Sequence, residues 1–423
     1  MSDATAARIT GTGPEERPRD PRGSAGDFLA DTISPEFGLL AMCCRWPPSP
    51  DRDAAIRAAA ARPIDWPHFE RVVSRQRVAG LVWHGLSRTG IDMPEATRQA
   101  LRKAATAIAR SSLALAAESL RLQGLFDQAG LDCAQVKGAT LAALAYGSLG
   151  IRHAKDIDLA VPEVQLSAAC GLLKTAGYEQ QRPPPEISQA GFDLWRRYDK
   201  DIVWWHPAKH IELELHWNLT NLSMPINETL DFSTLQPIDI SGSGAVKTLP
   251  PAQLFVYLCV HGAGHGWYRL KWLADIEALL EDKTGNEIEA YYRLAQETGS
   301  ERALGQAFLL CADIFGLELP PDLSAMLHRS RRARLLARLA LICMTRGKAE
   351  TEIYQLPFGT SVVAVSHFLL ARTPRAFLAE IARKSINLED VLYLSLPKRL
   401  EFLYLLLRWP LWLCRRWKNA ATR

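Results

Sequence analysis

The sequence predicts an α+β fold in which a strand-containing centre is set between two helical regions. Three observations carry this. Apolar residues recur at helical spacing over residues 94–129 and again from Pro251 to the C-terminus. Between them, Asp156-Ile157-Asp158-Leu159-Ala160-Val161 alternates with a period of two. Two further runs, residues 198–206 and 210–217, flank the turn Pro207-Ala208-Lys209 and read as an antiparallel strand pair.

Each region follows from its residues. Residues 1–30 are rich in Gly, Pro, Arg, Asp and Ser and offer little to bury, so this tail is expected to be disordered. Residues 31–129 form a helical N-terminal region. Its first helix begins near Phe37 and ends before Pro47-Pro48. A second covers about residues 51–61, and Asp65 caps a third, with Pro67 in its first turn. Residues 94–129 make one or two long helices. The pattern changes at Gly130, where the core, residues 130–250, begins. Residues 131–136 are strand-like, Lys137-Gly138 is a turn, and residues 139–146 are a short helix. The alternating strand 156–161 stops at Pro162, and a helix over 164–176 is closed by Gly177. A helical C-terminal domain covers 251–395, and a basic amphipathic segment covers 396–423. No internal repeat is visible.

Composition narrows the function classes. At 423 residues, with 48% hydrophobic and 23% charged, the chain is globular, which excludes a coiled coil, a collagen-like chain and global disorder. The net charge of +4 is too weak and unfocused to argue for a nucleic-acid partner. It is unevenly placed: residues 397–423 hold seven Lys/Arg against Glu401 alone. The eight cysteines contain no C-x-x-C pair and sit in apolar surroundings, as reduced thiols of a cytoplasmic protein do. A signal-peptide pattern is not seen, and no apolar run is long enough to span a bilayer.

The chemistry concentrates in the core. Asp156 and Asp158 are two apart in a strand, so both project from one face. Their mutual repulsion is relieved by a hard divalent cation, Mg²⁺ above all, which leaves room for phosphate oxygens. A second strand, His210-Ile211-Glu212-Leu213-Glu214-Leu215-His216, puts Glu212 and Glu214 on one face. If it lies beside the first, either acid completes a three-carboxylate cluster. The plainer reading of each acidic pair is a solvent-facing strand edge. Upstream, a strand leads into Lys137-Gly138 and a helix leaves it. Backbone N–H groups at a helix start favour anions, Gly138 permits close approach, and Lys137 supplies positive charge for a triphosphate. No G-x-x-x-x-G-K-[ST] loop exists in the chain. Arg152, four residues before Asp156, is placed to meet phosphate or to hold a carboxylate.

The stretch VKGATLAALAYGSLGIRHAKDIDLAV, followed by ELHW, resembles the uncharacterised bacterial nucleotidyltransferase family of the DNA polymerase β superfamily. The HGAGHGWYRLKWLADIEALL stretch from His261 resembles that family's helical segment after the catalytic part. The resemblance covers roughly residues 35–410. Lys-Gly stands here where most of the superfamily has Gly-Ser. The resemblance implies a polymerase β-like core, a mixed sheet with helices. It implies that Asp156, Asp158 and Glu214 bind two Mg²⁺ ions, Glu214 being the third acid because it precedes Leu215-His216-Trp217. Lys137, Gly138 and Arg152 would contact the nucleotide. The implied activity is transfer of a nucleoside monophosphate from a nucleoside triphosphate to an unidentified acceptor, with release of pyrophosphate. The acceptor would be a small molecule, a peptide or a polysaccharide precursor. The rival readings are a non-catalytic nucleotide-binding or interaction protein and a toxin-like transferase acting on tRNA or protein.

Other residues have plainer roles. His261 and His265 share a helix face and read first as packing or hydrogen-bonding groups, second as contacts to nucleotide or acceptor, and last as a metal site with Asp275. Of Trp204 and Trp205, alternation buries one. The Trp- and Leu-rich segment 396–423, flanked by Arg, packs on the domain or lies at an anionic membrane surface.

Overall fold

The computed structural model describes residues 33–345 other than 223, 225 and 227–229, residues 359–385, and scattered positions between 390 and 411. The expected disordered tail and most of the basic segment 396–423 lie outside the described residues.

Five helices come first: α1 Pro35–Cys44, α2 Pro50–Ala60, α3 Trp66–Gln76, α4 Ala79–Thr89 and α5 Glu95–Gln128. In α1, α2 and α3 a side chain at the start takes up a free backbone N–H group of the first turn. Ser34 accepts from Phe37 N, Ser49 from Arg52 N, and Asp65 from His68 N. Residues 94–129 thus resolve into one 34-residue helix. The centre follows as β1 Ala134–Gln135, α6 Ala139–Tyr146, β2 Asp156–Ala160, α7 Leu166–Thr175, β3 Glu179–Arg182, α8 Gln189–Tyr198, β4 Asp201–His206 and β5 Ile211–His216. A separate hairpin pairs β6 Gln236–Asp239 with β7 Ala245–Thr248. The later helices are α9 Pro251–Gly264, α10 Leu270–Leu280, α11 Gly285–Glu297, α12 Glu301–Phe315, α13 Pro321–Arg329, α14 Arg331–Thr345, α15 Gly359–Leu370 and α16 Pro374–Ser385. No helix among the described residues is long and apolar enough to cross a membrane.

The main sheet has the order β1-β2-β5-β4-β3 and is mixed. β2 and β5 are parallel, and the other pairs are antiparallel. The β4–β5 hairpin turns over residues 207–210, as the sequence leads one to expect. Alternation decides what each sheet face does. Ile157 and Leu159 of β2, Leu213 and Leu215 of β5, and Ile202 and Trp204 of β4 are buried together with Phe126 of α5 and Ala169 of α7. Each such side chain contributes roughly 1.5–3 kcal/mol by leaving water. Trp204 is the buried member of the tryptophan pair and Trp205 is half-buried.

A larger core joins the two helical regions. Phe37, Leu40, Phe69 and Val82 belong to one cluster with Phe255, Leu273, Phe308 and Leu336. These helices are far apart in sequence but share this core, which reaches the sheet through Val136 and Ala160. Of the C-terminal segment, Tyr404 and Leu411 are buried with Leu194 of α8.

Candidate active site

β2 and β5 lie side by side with Asp156 opposite Glu212, Asp158 opposite Glu214, and Ala160 opposite His216. Because Ile157, Leu159, Leu213 and Leu215 go into the sheet's core, the acids and His216 share the other face. That face looks toward α9, as the position of Tyr257 beneath Lys137 shows.

Asp158 is the hub of the cluster. Lys137 Nζ donates to its Oδ1 at 2.6 Å, and His216 Nε2 meets the same oxygen at 3.2 Å. His216 Nε2 is also 3.4 Å from Glu214 Oε2. On its other side, His216 Nδ1 is 3.3 Å from Lys200 Nζ, which also reaches Asp201 and, at 3.8 Å, Glu214. Nε2 faces only acceptors, so it carries a proton and orients both carboxylates. Ligand atoms of Asp158, Glu214 and His216 all lie within 4.8 Å of one another; with Nε2 protonated, the carboxylate oxygens are the atoms suited to a cation.

Two carboxylates on one strand are driven to opposite behaviour. Burial alone would raise Asp158, but Lys137 and His216 outweigh it and hold the carboxyl well below its ordinary value. Burial likewise opposes ionisation of Glu214, yet the hydrogen bond from His216 brings it to about 2. Asp156 is raised by burial and then by the charge on Asp158, with Lys137 opposing. Burial presses Lys137 down, and Asp158 more than restores it. Burial and Lys200 press His216 down, and its two carboxylate partners lift it above its ordinary value.

The Lys137-Gly138 turn is built for close approach. Gly138 has φ 63° and ψ −128°, a backbone that side chains avoid, and it caps the start of α6. A Cβ there would lie 3.8 Å from the Asp156 carbonyl oxygen, so the turn packs directly on β2. Val136 N donates to Asp158 O at 3.3 Å and ties the two together.

Of the two roles expected for Arg152, the structure supplies the carboxylate-holding one. Its Nε and Nη2 each donate to Asp275 at 2.9 Å, and the residue is 4% exposed. Tyr146 OH donates to the same Asp275 at 3.0 Å. Arg152 is therefore a strut binding α6 and the approach to β2 onto α10. Asp275 in turn serves Arg152 rather than a metal site with His261 and His265. Glu212 sits at the cluster's rim, where Lys155 holds it at 2.7 Å; Glu214 is the acid brought beside Asp158.

His261 and His265 stand on the cleft wall at the end of α9. Their rings are 4.6 Å apart and both pack against Trp272. Desolvation, then Lys137, keep His261 well below its ordinary value, so it is neutral at pH 7. The first glycine of this motif, Gly262, is a packing requirement. A Cβ on Gly262 would lie 2.4 Å from the Trp267 ring, which is fully buried.

Three cleft residues escaped the sequence reading. His216 was signalled by Glu212-x-Glu214-x-His216, since the alternation that aligns the acids also aligns the imidazole. Lys200 lies just before β4 and becomes visible only through the β4–β5 register. Lys271 of α10 donates to the His153 carbonyl at 3.4 Å. Burial, reinforced by Arg152, lowers its amine to about 7, against the pull of Asp275 and Asp156.

Fold and site together define an α/β protein with a buried acidic cluster whose spacing suits a cation. The chain belongs to a family described as uncharacterised nucleotidyltransferase, whose model matches residues 62–316. That segment contains every cleft residue described above, and membership points to nucleotidyl transfer as the class of chemistry. A comparison with curated proteins found no match.

Proposed function

We propose that this chain is a Mg²⁺-dependent nucleotidyltransferase with a polymerase β-like core, moving a nucleoside monophosphate from a nucleoside triphosphate to an acceptor. The observation that carries this reading is the β2–β5 register, which aligns Asp158 with Glu214 beneath Lys137. The donor set suits the metal: carboxylate oxygens from Asp156, Asp158 and Glu214 are the hard ligands that Mg²⁺ takes. When bound, the metal supplies charge neutralisation for the attacking and leaving oxygens.

The remaining work falls to the chain's own side chains. Lys137 neutralises Asp158, and with that carboxylate engaged on a cation its ammonium would be free to pair with the triphosphate. Gly138 lets the phosphates approach the first N–H groups of α6. Glu214, kept ionised, is the group placed to take the proton of the attacking hydroxyl. In the reaction, the acceptor oxygen bonds to the α-phosphorus, the bond from the α-phosphorus to the bridging oxygen breaks, and pyrophosphate leaves. Positioning and electrostatics suffice, with no covalent enzyme intermediate.

The test is transfer of label from the α-phosphate of each of the four nucleoside triphosphates into a cell extract, with Mg²⁺ or with EDTA. Label incorporated only with Mg²⁺, and lost in Asp156→Asn, is the expected result. Equal incorporation by Asp156→Asn would remove the assignment.

A further inference from the structure

A cavity among the described residues that stands apart from the acidic cluster has a volume of about 830 Å³. It is framed by the loop after β5, the end of α11, and helices α15 and α16. Two of its walls are joined, one along the chain and one by a hydrogen bond, to residues of the acidic cluster and of the α9 end. Asn218 and Leu222 lie on the loop that leaves β5, two and six residues past His216. On the other side, His367 Nε2 is 2.7 Å from the carbonyl of Gly264, the residue before His265. Leu222 closes the gap between these walls, since a Cβ on Gly264 would sit 3.5 Å from its Cδ1.

We infer that this cavity is the acceptor site, and that it takes a compact organic molecule with an apolar body, one anionic group and one hydrogen-bond donor. The inference rests on the transferase reading above and supplies the acceptor class that reading lacks. Size is the first argument: small-molecule sites typically measure about 300–1,000 Å³. Lining is the second. Leu222, Met224, Leu370 and Ala376 provide apolar wall.

Charge is the third argument. Glu380 is already held by His367 and Arg383. Arg372 is engaged with the Gln296 carbonyl and, at 3.6 Å, with Glu301. Arg375 and Glu297 have no ion-pair partner among the described residues and stand exposed at the rim. One free cation selects an anionic group, and one free carboxylate accepts from a hydroxyl or amine. A nucleic-acid backbone is disfavoured, because a polyanion needs several free cations and would meet Glu297.

The test uses the full chain and 8-anilinonaphthalene-1-sulfonate, an apolar aromatic body with one sulfonate and one N–H. Its fluorescence should report one saturable site. Ala376→Trp, which puts an indole into the cavity, should abolish that site, and Arg375→Glu, at an exposed position that leaves packing untouched, should weaken it by about tenfold. Both variants should bind Mg²⁺-nucleotide as wild type does. Label from the α-phosphate should enter the small-molecule fraction of an extract with wild type and not with Ala376→Trp. Dye binding or transfer unchanged in both variants would overturn the inference, as would label entering RNA or protein. A wild-type chain that binds the dye but no nucleotide would instead sink the transferase reading, and the acceptor assignment with it.

Discussion

Replacing either aspartate of β2 by asparagine should move stability in opposite directions, although the two side chains share one strand face. Asp158 forms a buried pair with Lys137 at 2.6 Å, the two side chains being 3% and 11% exposed. Removing one member of such a pair leaves the other charge buried, at a cost of about 3–5 kcal/mol. Asp156 and Glu214 recover part of this by pairing with Lys137, so Asp158→Asn should destabilise by roughly 2–4 kcal/mol. Asp156 is the reverse case. It carries its charge against burial and against Asp158. Side chains two residues apart on a strand lie roughly 7 Å apart, which at an effective dielectric of about 20 amounts to roughly 2 kcal/mol of repulsion. Lys137 and Lys271 offset part of it, so Asp156→Asn should stabilise by about 1 kcal/mol. Urea unfolding at pH 7 in EDTA reads both. Equal destabilisation by the two variants, or loss of stability in Asp156→Asn alone, would refute the electrostatic account of the cleft.

Other predictions follow from the same geometry. Glu277 is 4% exposed and, chiefly through burial, raised to about 8, while an unfolded carboxyl titrates near 4.5. The folded state therefore holds a proton that the unfolded state has released, and stability from this group falls as pH rises from 4.5 toward 8. The slope is at most about 1.4 kcal/mol per pH unit. Glu277→Gln should flatten it in thermal unfolding measured across that range. Arg152→Met should destabilise by about 3–5 kcal/mol by stranding Asp275. At a temperature where the variant is folded, calorimetry should show its nucleotide affinity unchanged. Lys271, lowered to about 7, should be acylated at a pH where exposed lysines are still protected, as peptide mapping after brief labelling at pH 7 would show. Gly262→Ala drives a methyl group into the Trp267 ring and should cost about 1–3 kcal/mol in chemical denaturation.

How much of this was legible from sequence depended on the physics each element uses. The strand of Asp156 and Asp158 and the hairpin that carries Glu214 were readable because buried aliphatics alternate with polar residues along them. β3 was not, since Glu179-Gln180-Gln181-Arg182 lies at the sheet edge, largely exposed, with no core side to betray it. β6 contains Pro237, which speaks against a strand, and pairs only with its hairpin partner. β1 shrank to two residues because Val136, though hydrogen-bonded to β2, already bends into the Lys137-Gly138 turn. In the cleft, residue types and spacing exposed the acids, the lysine and the glycine. The destination of Arg152 was not in the spacing: its partner Asp275 lies 123 positions away and meets it only when α10 packs on α6. Lys200 and Lys271 were invisible for the same reason.

The central claim is that the acidic cleft is a metal-dependent nucleotide site. Calorimetric titration of ATP, GTP, CTP and UTP, with and without Mg²⁺, into wild type and Glu214→Gln tests it most directly. The account predicts binding of a triphosphate that requires Mg²⁺ and is lost in Glu214→Gln. Binding that ignores both Mg²⁺ and Glu214 would contradict it, as would a wild-type chain that binds Mg²⁺ and none of the four.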